Sequence, residues 1–582
     1  MQTRLPADEV LQRVAIDGRV AFAACFFCMG IAFLTLLDRL GLPEPFLAWL
    51  APAIGLMGLV LIGFALRSSR ISEYHAAGRH VPSAYAALAM TSMAAALFLM
   101  MQKLLSPSLS AGSAVGGVVL GLLCAAVITG PLLRRTGAFS LAELVHYRFA
   151  TAPLRLGLSL TLALASAALS VEIFAAGDEL MQIATQASPL TRHLLLGLSL
   201  SLLLLPAGLA GAVWAGVAAF GMCLAAMVVP ITLMAARGAS LPLPIIGDST
   251  AFAQGLTQSG LLDLHPLMIL CLGAGVMVLG PLLMPSIAAT RTGDAREAGL
   301  SSIAWLALLL VLALCGALMA HLALQGAAGL RPTDLPDFLL EASRRGFASI
   351  CGAHPASVAQ IREACAQWPG YDGILRSGDL AATPLYLLTA MGELRGYGAA
   401  FTALSRAGLL CLALALTASA VLAFATSLSH DLIHLSRAKK PLTSRRLALT
   451  RLVLLLSIIA LAVTHDHLHL PRGLLLGLAL ALSTSLVLPL ILLTLIPRAT
   501  HYDALISFCM GGLAVAVMLF GEWPSVTFTQ LVQSGAAAGA LAFVIGTLLS
   551  LRHRADPTST GSNFLSQILH GSDDAMQNDR GA

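Results

Sequence analysis

The chain has 582 residues, of which 58% are hydrophobic and only 11% charged, and its mean hydropathy is +0.85. That composition excludes a soluble globular domain and makes the chain an integral membrane protein. A formal charge of +5, spread over short loops, excludes a basic nucleic-acid surface and leaves the lipid bilayer as the surrounding partner.

The opening "MQTRLPADEVLQRVAIDGRV" mixes acids and bases and lacks the basic region and small-residue cleavage site of a secretory signal, so the first apolar run is expected to be retained. Runs long enough to span a bilayer fall at 17–37, 45–66, 83–106, 112–133, 155–182, 193–209, 213–236, 264–290, 299–325, 398–428, 446–465, 473–497, 502–521 and 528–551. About fourteen helices place both termini on one side. Arg67, Arg70, Arg79, Arg134, Arg135, Arg148, Arg155, Arg291, Arg296, Arg437, Lys439, Lys440, Arg445 and Arg446 all fall in loops on that side, which the positive-inside rule makes cytoplasmic. The expected location is a bacterial inner membrane.

The chain divides into a cytoplasmic segment (1–16), two extra helices with a loop (17–82), a ten-helix core (83–497), two further helices (498–551) and a flexible tail (552–582). Within the core, the outer loop 326–397 is long enough for a small cap. Its "CGAHPASVAQIREAC" leaves Cys351 and Cys365 either as a disulfide or as two free thiols, whereas the other eight cysteines lie in apolar runs and are expected to be inert core residues.

Polar groups inside apolar runs carry the functional reading, because each costs free energy in hydrocarbon. Gln102 and Lys103 stand in "ALFLMMQKLLSP", and Glu172 in "ALSVEIFAAGDEL". Either Lys103 snorkels to the outer headgroups past Pro107, or it pairs with Glu172 in a polar pathway where Glu172 carries a proton. Asp178 and Glu179 read as a solvated helix terminus, His321 as a packed residue, and the imidazoles of "THDHLHLPRG" as a polar interfacial loop in preference to a metal site. His430 and Asp431 read as structural, with Arg437 or Lys439 as partner for the acid.

Four stretches, "SEYHAAGRHVPSAYAALAMTSMAAA", "GAFSLAELVHYRFATAPLRLG", "TRTGDAREAG" and "LAFATSLSHDLIHL", resemble in order the loop motifs of sodium:solute symporters, nearest the cation/acetate branch. In the second, Glu143, Tyr147, Arg148, Phe149 and Arg155 match; in the fourth, Ser429, His430, Asp431 and Leu432. The resemblance covers residues 45–500 and implies an all-α membrane protein with the LeuT-like inverted five-plus-five repeat and extra helices at both ends. It implies cation-coupled symport of a small organic solute, best a monocarboxylate such as acetate, by alternating access, with Na+ or H+ as coupling ion and no cofactor or enzymatic site. The competing reading is a receptor or regulatory protein on the same fold that no longer transports.

Carried over residue by residue, the resemblance puts a break in the first core helix near "MTSMA", with Thr91 where many members carry an acid and Ser92 beside it. The hydroxyl pair that binds sodium in relatives falls on Ala415 and Leu416, leaving Thr417 and Ser419 as the nearest ion-binding candidates. Thr91, Ser92, Gln102, Lys103 and Glu172 are the expected solute-binding set.

Overall fold

The computed structural model describes residues 7–101, 104, 109–236, 263–327, 330–331, 335, 337–344, 348–368, 371, 373–375, 379–382, 399–432, 443–464, 471, 473–522 and 526–552. Thirteen helices among them are long and apolar enough to cross a membrane, and one bent helix pair brings the count to fourteen.

The helices in chain order are α1 (Ala7–Arg39), α2 (Glu44–Ala65), the short α3 (Ile71–Ala76), α4 (Ser83–Met101), α5 (Ala111–Cys124), α6 (Gly130–Thr136), α7 (Leu141–Phe149), α8 (Ala152–Thr185), α9 (Pro189–Ala207) and α10 (Leu209–Ala236). They continue as α11 (Pro266–Met277), α12 (Gly280–Ala288), α13 (Thr292–Ala327), α14 (Asp337–Arg344), α15 (Val358–Ala366), α16 (Ala399–Thr426), α17 (Thr443–Thr464), α18 (Leu474–Leu482), α19 (Leu488–Thr494), α20 (His501–Glu522) and α21 (Phe528–Ser550). Three π-helical turns, Ala125–Thr129, Ser427–Leu432 and Ser483–Val487, widen the helices of the second, eighth and tenth core spans. Such turns insert a residue into a helix and are frequent at functional sites.

α16 is the axis of the bundle. Leucine and alanine line its whole circumference, and 94% of its apolar window is buried. It packs most extensively against α10 and α8, while α5 lies along α11 and α4 along α13. α1 is the opposite case, with 6% of its window buried, so its Phe22, Met29 and Phe33 face lipid. Cys25, Cys28 and Cys509 are exposed on such peripheral helices and are therefore not core residues; Cys223, Cys271, Cys315 and Cys411 are buried. An apolar run alone does not tell a lipid-facing thiol from a packed one.

The described part of the 326–397 loop is a small cap. Strands β1 (Ala348–Ile350) and β2 (Leu380–Ala382) pair antiparallel with Ser349 opposite Ala381, and Ile350, Cys351, Ile361, Cys365 and Leu375 form its buried centre. Cys351 and Cys365 are joined as a disulfide, tying β1 to α15. Alkylation of the unfolded, unreduced protein is expected to leave both thiols unmodified, and prior reduction to expose them; mass spectrometry of peptides containing them is the check.

Candidate functional site in the transmembrane core

The sixth core span is broken. α11 and α12 meet at Val278 and Leu279 with a 51° bend, because Gly280 and Pro281 follow and proline removes a donor from the ladder. Val278 and Leu279 N–H groups close short turns onto Gly275 and Val276, and the Met277 carbonyl accepts from Thr129 Oγ1 at 3.0 Å. Leu279, the residue before α12, supplies no side-chain cap, so the half-helix presents its positive dipole end inside the membrane core.

The first core helix behaves differently from the expectation. α4 runs as an unbroken α-helix from Ser83 to Met101, with no interruption at "MTSMA". The physical reason is local: residues 83–101 contain neither glycine nor proline and are rich in alanine, leucine and methionine, all strong helix formers. Thr91 Oγ1 donates to Ala87 O at 2.8 Å, supporting the helix that a break would have opened.

Four consecutive residues of α4 reach four different neighbours. Met90 Sδ meets Ser286 Oγ of α12 at 3.8 Å, and Thr91 Oγ1 reaches Ser302 O of α13 at 3.1 Å. Ser92 turns toward Gly216 of α10, and Met93 Sδ meets Ser419 Oγ of α16 at 3.5 Å. All four are at most 1% exposed. Thr91 and Ser92 therefore lie on different sides of α4, although the sequence reading grouped them.

The two ion candidates separate as well. Ser419 lies at the junction of the first and eighth core helices, donating also to Ala415 O at 3.1 Å, whereas Thr417 Oγ1 is spent on Ala413 O at 2.8 Å. A thioether stands beside Ser419 where a hard cation such as Na+ would want oxygen. Among the described residues no group of three or more His, Cys, Asp or Glu is placed to hold a metal.

Glu172 is a contact between helices. Its Oε1 accepts the Gly473 N–H at 2.9 Å, so a carboxylate on the third core helix caps the start of α18, the tenth. Gly473 has φ +78°, a backbone conformation that favours glycine, and a Cβ there would press on the end of the Leu104 side chain where three core spans meet. Gln102, Lys103, Arg437, Lys439 and the 465–470 histidine stretch lie outside the described residues, as does the His321 side chain.

Asp178 is no solvated terminus. It is 7% exposed and forms a two-pronged pair with Arg192 at the start of α9, at 2.8 Å on both oxygens, with His193 Nε2 3.4 Å from Oδ1. Its position near a helix end suggested water, but the α8–α9 turn folds a guanidinium back over it.

On the face carrying the basic loops, arginines clamp helix ends. Arg134 donates to the carbonyls of Ala289 and Thr290 after α12, and Arg148 Nη2 lies 3.0–3.2 Å from those of Ile496, Pro497 and Ala499 after α19. These carbonyls lie at or just past the C-terminal ends of α12 and α19, where a cation also interacts favourably with the helix macrodipole. Tyr74 of α3 donates to Leu204 O at 3.2 Å under Arg451, and burial pushes its phenol up to about 12.

The sequence reading missed Thr129, Met90, Met93, Ser286 and Gly473. The Gly280–Pro281 pair was the one available signal for the broken helix; nothing local marks the methionines.

The arrangement defines a class: a polytopic helical membrane protein of the LeuT-like inverted-repeat fold, with one broken core helix beside two continuous ones. Among solved structures, the chain is similar to a Na+-coupled sialic acid symporter in its substrate-bound outward-open state. The TM-score is 0.62 and the identity 13%, and the match covers 88% of this chain and 99% of that one. At that identity the likeness establishes the fold. Neither a protein-family model nor a curated protein sequence matches the chain.

Proposed function

We propose that the protein is a secondary active transporter that moves a small organic solute together with a cation by alternating access. The carrying observation is the break between α11 and α12, set against α4 and near the α4–α16 contact in a symporter fold. Broken helices at the repeat interface are where such folds receive solute and ion. An uncapped half-helix N-terminus attracts an anion, which supports a monocarboxylate as solute.

The coupling ion is Na+ or H+. With a thioether beside Ser419 and Thr417 engaged within its own helix, a proton carried by Glu172 is the better-supported choice. The same two features favour a second reading, a receptor or regulatory protein that binds without accumulating. Purified protein in liposomes, given short labelled monocarboxylates under separate Na+ and H+ gradients, distinguishes them. Transport predicts accumulation above equilibrium under one gradient, lowered at least tenfold by Glu172→Gln; binding with no accumulation under either gradient supports the receptor.

A further inference from the structure

Two imidazoles meet on the basic face, which the sequence reading assigns to the cytoplasm. His75, on α3 ahead of the first core helix, and His430, in the π-turn that ends the eighth, have ring centroids 5.5 Å apart and planes inclined by 31°. Both are buried, at 7% and 8% exposure. Phe139 packs against both rings, edge-on to His430 at 5.5 Å and at 6.2 Å from His75.

Glu143 completes the group. Its Oε2 lies 3.9 Å from His430 Nε2, and the carboxylate is fixed by the Phe139 N–H at 2.7 Å and the Tyr147 hydroxyl at 2.6 Å. These residues come from segments far apart in the chain: ahead of the first core span, after the second, and at the end of the eighth. A motion that opens this face by moving α3 against the π-turn parts the two imidazoles.

The geometry separates the effect of one proton from that of two. One proton on His430 turns its approach to Glu143 into an attraction between opposite charges and tightens α7 against the π-turn. A second proton, on His75, sets two like charges in adjacent buried rings, where water screens them poorly. Histidine is the side chain whose ordinary range lets this happen between pH 5 and 8.

The surrounding charges divide the same way. Glu143 favours the first proton, and the fully buried Asp431 follows His430 in the chain. Arg79 above Phe139 and Arg451 above Tyr74 oppose the second, while Arg155 on α8 acts on His146 and Asp431. His146 on α7 stays neutral more readily than usual, because burial and then Arg155 push its imidazole down.

We propose that His75 and His430 form a proton-binding latch on this face, closed with one proton or none and released by the second. The proposal rests on the transport reading only in that the face opens at all. Its readout is hydrogen exchange of the full-length protein in lipid nanodiscs at pH 7.5 and 5.5, corrected for intrinsic rates. Peptides covering 137–149 and 425–432 are expected to exchange at least tenfold faster at pH 5.5, while a peptide covering 474–482 stays unchanged.

His75→Gln and His430→Gln are each expected to abolish the pH response, with His75→Gln keeping the protection seen at pH 7.5. A merely structural role would instead lower protection equally at both pH values. Equal wild-type protection at the two pH values, or a response that survives either substitution, overturns the latch. A pH-responsive latch in a protein that accumulates no solute would leave this proposal standing and remove only the transport reading.

Discussion

Arg192→Ala is expected to destabilise the protein by about 3 to 5 kcal/mol, the range for removing one partner of a buried ion pair. The substitution leaves the Asp178 carboxylate buried at the α8–α9 turn without its two 2.8 Å bonds, and His193 at 3.4 Å is a single-point substitute for a fork. It also removes the bond from Arg192 Nη1 to Ala187 O at 2.7 Å, which holds the turn itself. Arg192→Lys retains the charge but not the fork and is expected to fall between. Replacing both partners together, Asp178→Leu with Arg192→Met, is expected to cost less than Arg192→Ala alone, because no charge is then stranded. Thermal unfolding in detergent or nanodiscs, compared across the four proteins, reads this order; a double variant less stable than the single would contradict it.

Arg148→Ala is expected to loosen the end of the tenth core helix by about 1.5 to 3 kcal/mol, the worth of a hydrogen bond to a charged donor. Arg148 Nη2 is shared among the carbonyls of Ile496, Pro497 and Ala499 just past α19, where Pro497 keeps the helix from continuing and Ile496 O takes one further bond, from the Ala499 N–H. Hydrogen exchange in 488–500 is expected to speed up by roughly 10- to 100-fold, with α16 unaffected. Arg148→Lys is expected to recover part of the protection, since one ammonium reaches fewer carbonyls. Unchanged exchange would mean that packing of α19 against α21 holds this end without the guanidinium.

The sequence read well where a single physical signal decides the outcome. Twenty apolar residues in a row cannot be satisfied in water, so the spans and their number were legible from hydropathy alone. The loop motif carrying Glu143, Tyr147 and Arg148 was legible as a unit, and the structure brings Glu143 and Tyr147 together at 2.6 Å. The cysteine pair was legible as two alternatives, and the disulfide is the one the chain adopts.

What was not legible depends on which neighbour a side chain meets. A helix in lipid is apolar on every side, so the sequence gives no stripe by which to orient it. Thr91 and Ser92 were grouped because they are adjacent, yet α13 takes one and α10 the other. The break assigned to α4 came from family likeness, while local chemistry put it where Gly280 and Pro281 stand. Asp178 was placed in water because it lies near a helix end; the guanidinium that covers it is 14 residues further along, beyond a turn. Glu172 was singled out correctly as unusual, but the N–H it holds belongs to a glycine 301 residues away.

Uptake by purified protein in liposomes tests the central claim most directly. Short labelled monocarboxylates are supplied with an inward Na+ gradient, an inward H+ gradient, or neither. Accumulation above equilibrium under one gradient and not in its absence is the predicted result, with the H+ gradient favoured and the effect reduced at least tenfold in Glu172→Gln. Failure of every such solute to accumulate under either gradient, in protein that is folded and disulfide-bonded, would contradict the account.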